Sequence, residues 1–373
     1  MTNPPPPGNW GPPQPPYGQG QPPYGSGPWP PQQGWGPPPQ PPKNNSLKWL
    51  LIGVAVLLVI AISVGATLLF TRDGSGGTTQ TANGNPPAAG EIASANDTGA
   101  VSIITEDPTC DPWRPIATTL ANVERQGWTD RDDSIPSEQW TPEIRAQHEA
   151  VAAAMREAAD QSVRLARLTP HRVMRELYEQ SIAYWRAYAD SVPNYQPVHN
   201  HLANAAGNAS NAVVSICNAI GSRTAQSRGP LVETSDSPSS VSAASNPDAA
   251  EVFITESNAP ACADWEALTD KFDAETSQWR ESNHQLSANE WNPVQQAIVD
   301  QASVKINAFA EDLVSLAGTT DNSAWQDFAA LSSQYWRAYV ASIPTYSKAD
   351  HDLSVAAAYL AYLPLQGCLA VRS

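Results

Sequence analysis

The residues whose types invite chemistry are four cysteines, six histidines and two arginines set in matching aromatic clusters. The cysteines stand at 110, 217, 262 and 368, two pairs spaced 107 and 106 residues apart. Metal sites and thiol redox motifs cluster their cysteines, as in C-x₂-C, and no such cluster occurs in this sequence. The economical chemistry is one disulfide per pair, Cys110–Cys217 and Cys262–Cys368. Each would close a long loop and contribute about 4–5 kcal/mol in the chain-entropy account. Such bonds persist in an oxidising compartment.

The histidines offer less. Glu281 and His284 form a Glu-x-x-His pair, which a di-metal carboxylate bundle needs on two helices. Here the pair falls in an expected loop, and Asp130 and Asp133 stand at the matching positions of the other half. His199-Asn200-His201, with Asp350-His351-Asp352 as its counterpart, is the most ligand-like cluster, since imidazole and carboxylate suit borderline divalent metals. Polar residues are nevertheless ordinary at a helix start. His148 lies on an apolar helical face whose counterpart is Val299, so a packed histidine is expected. No G-x-S-x-G, H-E-x-x-H or P-loop occurs. The chain is read as a non-enzyme, with no catalytic residue, no metal and no cofactor.

The arginines sit inside a duplicated motif. Tyr184-Trp185-Arg186-Ala187-Tyr188 recurs as Tyr335-Trp336-Arg337-Ala338-Tyr339. Asp190 is one helical turn from Arg186, but Ala341 holds the matching place, so a local pair cannot explain both arginines. Each is expected to reach an acid near the end of a helix bundle, with Glu106 or Glu256 as candidates. The motif is read as structural or recognition-bearing, and its aromatic face as core.

These residues are positioned by an internal repeat. At an offset of 151, Trp128 meets Trp279, Trp140 meets Trp291, Pro142 meets Pro293 and Tyr195 meets Tyr346. Within repeat 1, helices are expected near 111–127, 141–168, 170–192 and 197–220. Thr141-Pro142 and Asn292-Pro293 are helix-start signals. Ile144, His148, Val151, Met155, Ala158, Ser162 and Leu165 trace one helical face, and Val299, Ala302, Ile306, Phe309, Leu313 and Leu316 trace its twin. Each repeat therefore reads as an up-and-down four-helix bundle.

Outside the repeats the composition is zoned. Residues 1–42 hold 18 of the 35 prolines and no charged side chain. So much proline excludes helix and sheet, and with nothing aliphatic to bury the tract reads as disordered. Residues 49–70, from Trp49 to Phe70, form a 22-residue run without a charge, ~33 Å as a helix and long enough to span a bilayer. Lys43 and Lys48 precede it, which favours a cytoplasmic amino terminus. From Arg72 onward 37 acidic residues face 19 basic ones, an excess of 18 negative charges. Nucleic-acid binding, which needs a basic surface, is excluded.

The tail repeats Gln-Pro-Pro-Tyr-Gly from Gln14 to Gly18 and from Gln21 to Gly25. With the apolar run at 49–70, this layout resembles the proline-rich single-pass membrane proteins of mycobacteria and related actinobacteria. The resemblance implies an address in the cell membrane and no activity. The expected organisation is all-α: a disordered tail at 1–48, a transmembrane helix at 49–70 and a flexible stalk at 71–100. A bundle at 101–221, a linker at 222–250 and a second bundle at 251–373 complete it. The expected function is a non-enzymatic, extracytoplasmic interaction or scaffold role with protein or cell-envelope partners. The alternative is a ligand-binding or sensor protein holding a small molecule within or between the bundles.

Overall fold

The structure, a computed structural model, describes residues 91–235, 241 and 243–372. The expected tail, the apolar run at 49–70 and most of the stalk lie outside the described residues. Within them the chain is all-helical, with ten α-helices. Repeat 1 comprises α1 (Cys110–Glu124), α2 (Pro142–Leu168), α3 (Arg172–Ser191) and α4 (Asn200–Gly221), followed by a short α5 (Thr224–Arg228). Repeat 2 comprises α6 (Ala259–Glu275), α7 (Ser277–Arg280), α8 (Pro293–Ala317), α9 (Ser323–Ser342) and α10 (His351–Ala370).

The long second helices start where the sequence says. The Thr141 hydroxyl accepts the Ile144 N–H at 3.3 Å, and Asn292 Oδ1 accepts the Gln295 N–H at 2.9 Å. In each case proline takes the first helical position, where its missing N–H costs nothing. Downstream of α1 the chain reverses through Gly127, at φ 106°, a conformation that favours glycine.

In repeat 1, α1 packs on α2, α2 on α3, α3 on α4, and α4 back on α1; α6, α8, α9 and α10 close the same ring in repeat 2. The disulfides Cys110–Cys217 and Cys262–Cys368 join the first helix of each ring to the last. The two rings are not separate bodies. The described residues form one compact unit, and a single hydrophobic cluster runs through both repeats. Their joint is α4 against α10, the most extensive helix pair among the described residues. His201 Nδ1 meets Gln366 Oε1 at 2.8 Å, and Asn218 Nδ2 donates to Asp352 Oδ1 at 3.4 Å, so the two helices run antiparallel. Both are rich in alanine, and buried Ala205, Ala209, Ala357 and Ala361 keep their bulk low. Small side chains let helix axes approach to the short end of the usual 8–10 Å range.

One stretch among the described residues, Lys348–Ala370, is long and apolar enough to cross a membrane by length and composition. It contains α10, is 67% buried over its most apolar window, and holds half of a disulfide. Those are the marks of a core helix.

Candidate functional site: paired aromatic cores and the junction between repeats

The Tyr-Trp-Arg-Ala-Tyr motifs lie on α3 and α9, and their aromatic residues are buried. Trp185 stacks on Trp113 with centroids 6.1 Å apart. Trp336 is packed by Phe272, Phe309, Trp279 and Tyr339. Tyr188 and Tyr339 anchor matching aromatic boxes. Trp128 Nε1 donates to the Tyr188 hydroxyl at 2.9 Å, and Trp279 Nε1 to that of Tyr339 at 2.7 Å. The Tyr195 hydroxyl donates to Asp133 O and that of Tyr346 to His284 O, both at 2.9 Å. Trp140 and Trp291 complete the boxes through indole bonds to Ile135 O and Leu286 O.

The boxes differ in what fills them. In repeat 1, His148 stacks on Trp140 at 4.0 Å, its Nδ1 is 2.8 Å from the Tyr188 hydroxyl, and its Nε2 is buried without a partner. Burial, and then the Arg131 charge, lower its pKa to about 4, so the ring is neutral at physiological pH. In repeat 2, Val299 takes that place. There His284 and His351 stack instead, 4.6 Å apart. Burial and the neighbouring imidazole lower His351 to about 4, and burial also lowers His284.

The remaining histidines have structural tasks. His199 Nδ1 accepts the Gln196 N–H at 3.0 Å in a capping box, and His201 crosses to Gln366 of repeat 2. His284 is half-buried between Trp279 and His351, and among the described residues no three His, Cys, Asp or Glu side chains gather as a metal would require.

The arginines do not reach Glu106 or Glu256. Arg186 Nη2 pairs with Asp160 on α2 at 2.8 Å, and its Nη1 donates to the carbonyl of Asp248 at 2.8 Å. Asp160 lies beside it because antiparallel α2 and α3 bring those turns together, whereas Glu106 is engaged at the other end of α3. There its carbonyl lies 2.8 Å from His171 Nε2. Asp190 instead pairs with Arg156. Arg337 is half-buried and, among the described residues, makes no hydrogen bond or ion pair.

The tyrosines that open the motifs mark the junction, which sequence reasoning missed. The Tyr335 hydroxyl points to Ile104 O at 3.5 Å, reaching from repeat 2 into the segment that leads repeat 1. Tyr184 does the reciprocal, lying against Ile254 and Gly367 of repeat 2; a Cβ on Gly367 would fall 2.6 Å from its hydroxyl. Nearby, Arg172 of α3 forms a two-pronged pair with Asp327 of α9 at 2.7 and 3.0 Å, both side chains buried. Glu176 and Asp327 are equivalent positions of the two repeats and meet there. Burial, and then the Asp327 charge, push Glu176 well above the usual carboxylate range. Burial pushes Glu179 up to about 7 against the pull of Arg175. Farther along, Arg228 holds buried Asp350 at 2.9 and 3.1 Å. One sequence signal for the junction was available: α4 carries no charged residue in a chain otherwise rich in acids.

Residues 92–372, both repeats with their leading segments, match the family described as mycobacterial ESX-1 associated protein. The chain belongs to that family. An uncharacterized protein of Mycolicibacterium smegmatis (strain MKD8) is 41% identical over 334 residues, covering 89% of this chain and 88% of that one. No solved structure matches. The actinobacterial part of the sequence resemblance therefore holds, and its carrier is the helical unit.

Proposed function

We infer that this ESX-1 associated protein is a membrane-anchored, non-enzymatic interaction protein of the cell envelope. Its duplicated helical unit faces the oxidising side and serves as a rigid docking body for protein partners of the secretion system. The observation that carries the reading is how the two aromatic cores are filled. Ligand sites are commonly clefts of about 300–1,000 Å³. The clefts at Arg172 and Trp279 hold about 80 and 230 Å³, and neither is lined by Trp185 or Trp336. The two disulfides fit an extracytoplasmic address. The anchor rests on the apolar run at 49–70. An alignment covering 89% of the chain leaves about 40 of its residues outside, so a continuous match to the smegmatis relative takes in that run.

The test is in-cell cross-linking of the full chain in its own host, followed by native mass spectrometry of the detergent-extracted protein. Cross-links from the helical unit to secretion-system components, with an apo mass, are expected. A stoichiometric small molecule on the purified chain would replace this reading with the ligand-binding one.

A further inference from the structure

Where two copies of one fold pack together, a residue at the contact can meet its own twin. Glu176 of α3 and Asp327 of α9 are such a pair, 151 residues apart in the chain. Both are buried, and their carboxyl oxygens lie within hydrogen-bonding reach of each other. The charges around them are not twinned. Arg172, Arg175 and Glu179 of α3 correspond to Ser323, Gln326 and Ala330 of α9. Among the described residues, three carboxyl groups (Glu176, Glu179 and Asp327) are therefore buried at this contact with two guanidinium groups.

The hydrogen bonds say which acid is ionised. Arg172 donates to both oxygens of Asp327, at 2.7 and 3.0 Å, a geometry that suits a carboxylate. Its other N–H groups turn to the carbonyls of Asp97 at 2.6 Å and Gly99 at 3.3 Å. Arg175 is shared more loosely: it lies 3.5 Å from Glu176 Oε1 and 3.4 Å from Glu179 Oε1, and donates to Ser94 Oγ at 3.3 Å. Glu176 Oε2 is buried with no hydrogen-bond partner. In an ionised Glu176 that oxygen would be a desolvated charge beside a second carboxylate, and two carboxylates have no proton to share. A protonated Glu176 has a hydroxyl to donate. Burial, and then the Asp327 charge, favour that form.

The charges that act on Glu176 are those of Asp327, Arg175 and Arg172. The other ionisable groups on the surrounding elements are engaged elsewhere or exposed. Asp97 accepts the Arg172 backbone N–H at 2.7 Å, and His171 Nε2 lies at the Glu106 carbonyl. Arg167 of α2 pairs with Asp248, and Tyr362 of α10 binds Asp273. Glu91, Glu233, Glu251 and Asp321 are exposed, and α4 carries no charge.

We propose that the junction between the repeats is clamped by a proton: Glu176 is a neutral acid that donates to Asp327, and raising the pH withdraws that bond and loosens α3 from α9. The sign follows from linkage. An unfolded glutamate ionises near about 4.3, and the folded Glu176 does so at higher pH. The stability held by the clamp is therefore complete in acid and is lost as pH rises from there through the folded value. A clamp of this kind responds in the opposite sense to a histidine buried neutral, which loses its contribution as pH falls.

The test compares the full chain in detergent with its Glu176→Gln variant, whose amide keeps the shape and a donor but has no proton to lose. In urea unfolding, the wild-type folding constant should fall relative to that of the variant by about tenfold per pH unit between about pH 5 and 7. Glu179, which burial pushes up to about 7, is present in both chains and does not account for the difference. A ratio that stays constant over that window overturns the proposal. Infrared difference spectra at pH 7, wild type minus Glu176→Gln, read the proton without reference to stability. They should show the carbonyl stretch of a protonated carboxyl, displaced by ¹³C-glutamate labelling. A carboxylate band in its place overturns the proposal.

Discussion

The two repeats carry the same aromatic frame around different fillings. Repeat 1 places His148 against Trp140 and Tyr188; repeat 2 places Val299 there and stacks His284 on His351. Both keep the indole-to-hydroxyl bonds of Trp128 to Tyr188 and Trp279 to Tyr339. The frame is what the bundle needs, because those bonds satisfy buried polar groups that would otherwise cost about 1–3 kcal/mol each. The filling needs mainly the right volume. The comparison extends to the termini of the rings, where each repeat is closed by one disulfide and leans on its twin through α4 and α10.

The largest effect should come from the disulfides. Replacing Cys110 and Cys217 by alanine removes a link closing a 107-residue loop, worth about 4–5 kcal/mol in the chain-entropy account. The shared core predicts that both repeats melt together in one calorimetric transition at a lower temperature. Two separated transitions would break the comparison into independent domains.

Next in size is the junction. Arg172→Ala leaves Asp327 buried without its cation, a change of about 3–5 kcal/mol. Urea unfolding should show the loss without a change in slope. A cost below about 1 kcal/mol would mean that the junction contributes little to the unit.

Much of each repeat was legible before any coordinates. The capped starts at Thr141 and Asn292, the 4-3-4-3 apolar faces and the single cysteine at each end of a repeat are local signals, and the helices and disulfides follow them. What escaped was everything between repeats. Besides Asp160, Arg186 binds the carbonyl of Asp248, 62 residues away, and backbone carbonyls leave no mark on a sequence. Arg167 likewise binds Asn246 and Asp248, in a stretch that composition alone reads as linker. The α4/α10 joint left a faint trace: a 22-residue helix without charge has no obvious solvent face, which implies burial on more than one side.

Gly367 tests that joint at smaller scale. Gly367→Ala would set a Cβ 2.6 Å from the Tyr184 hydroxyl and 2.7 Å from Ile254 Cγ1, an overpacking of about 1–3 kcal/mol. Pairing it with Tyr184→Phe, which removes the closer atom, should recover part of the loss in a double-mutant cycle. Strict additivity would place the two residues out of contact.

The effect that is smallest at neutral pH sharpens the original contrast. His148 titrates at about 4 in the folded chain and near 6.5 unfolded. The unfolded state therefore binds the extra proton first as pH falls. The stability held by neutral His148 is complete above pH 6.5 and is lost as pH falls from there toward 4, at no more than about 1.4 kcal/mol per unit. His148→Val copies repeat 2 into repeat 1 and should flatten the stability profile over that window, while His284 and His351 keep a remaining slope. Because Val299 already fills the twin box, the variant should fold normally at pH 7.5. An unchanged slope between pH 6.5 and 4 would mean that His148 meets solvent in the native state, and its box is then a looser structure than its twin.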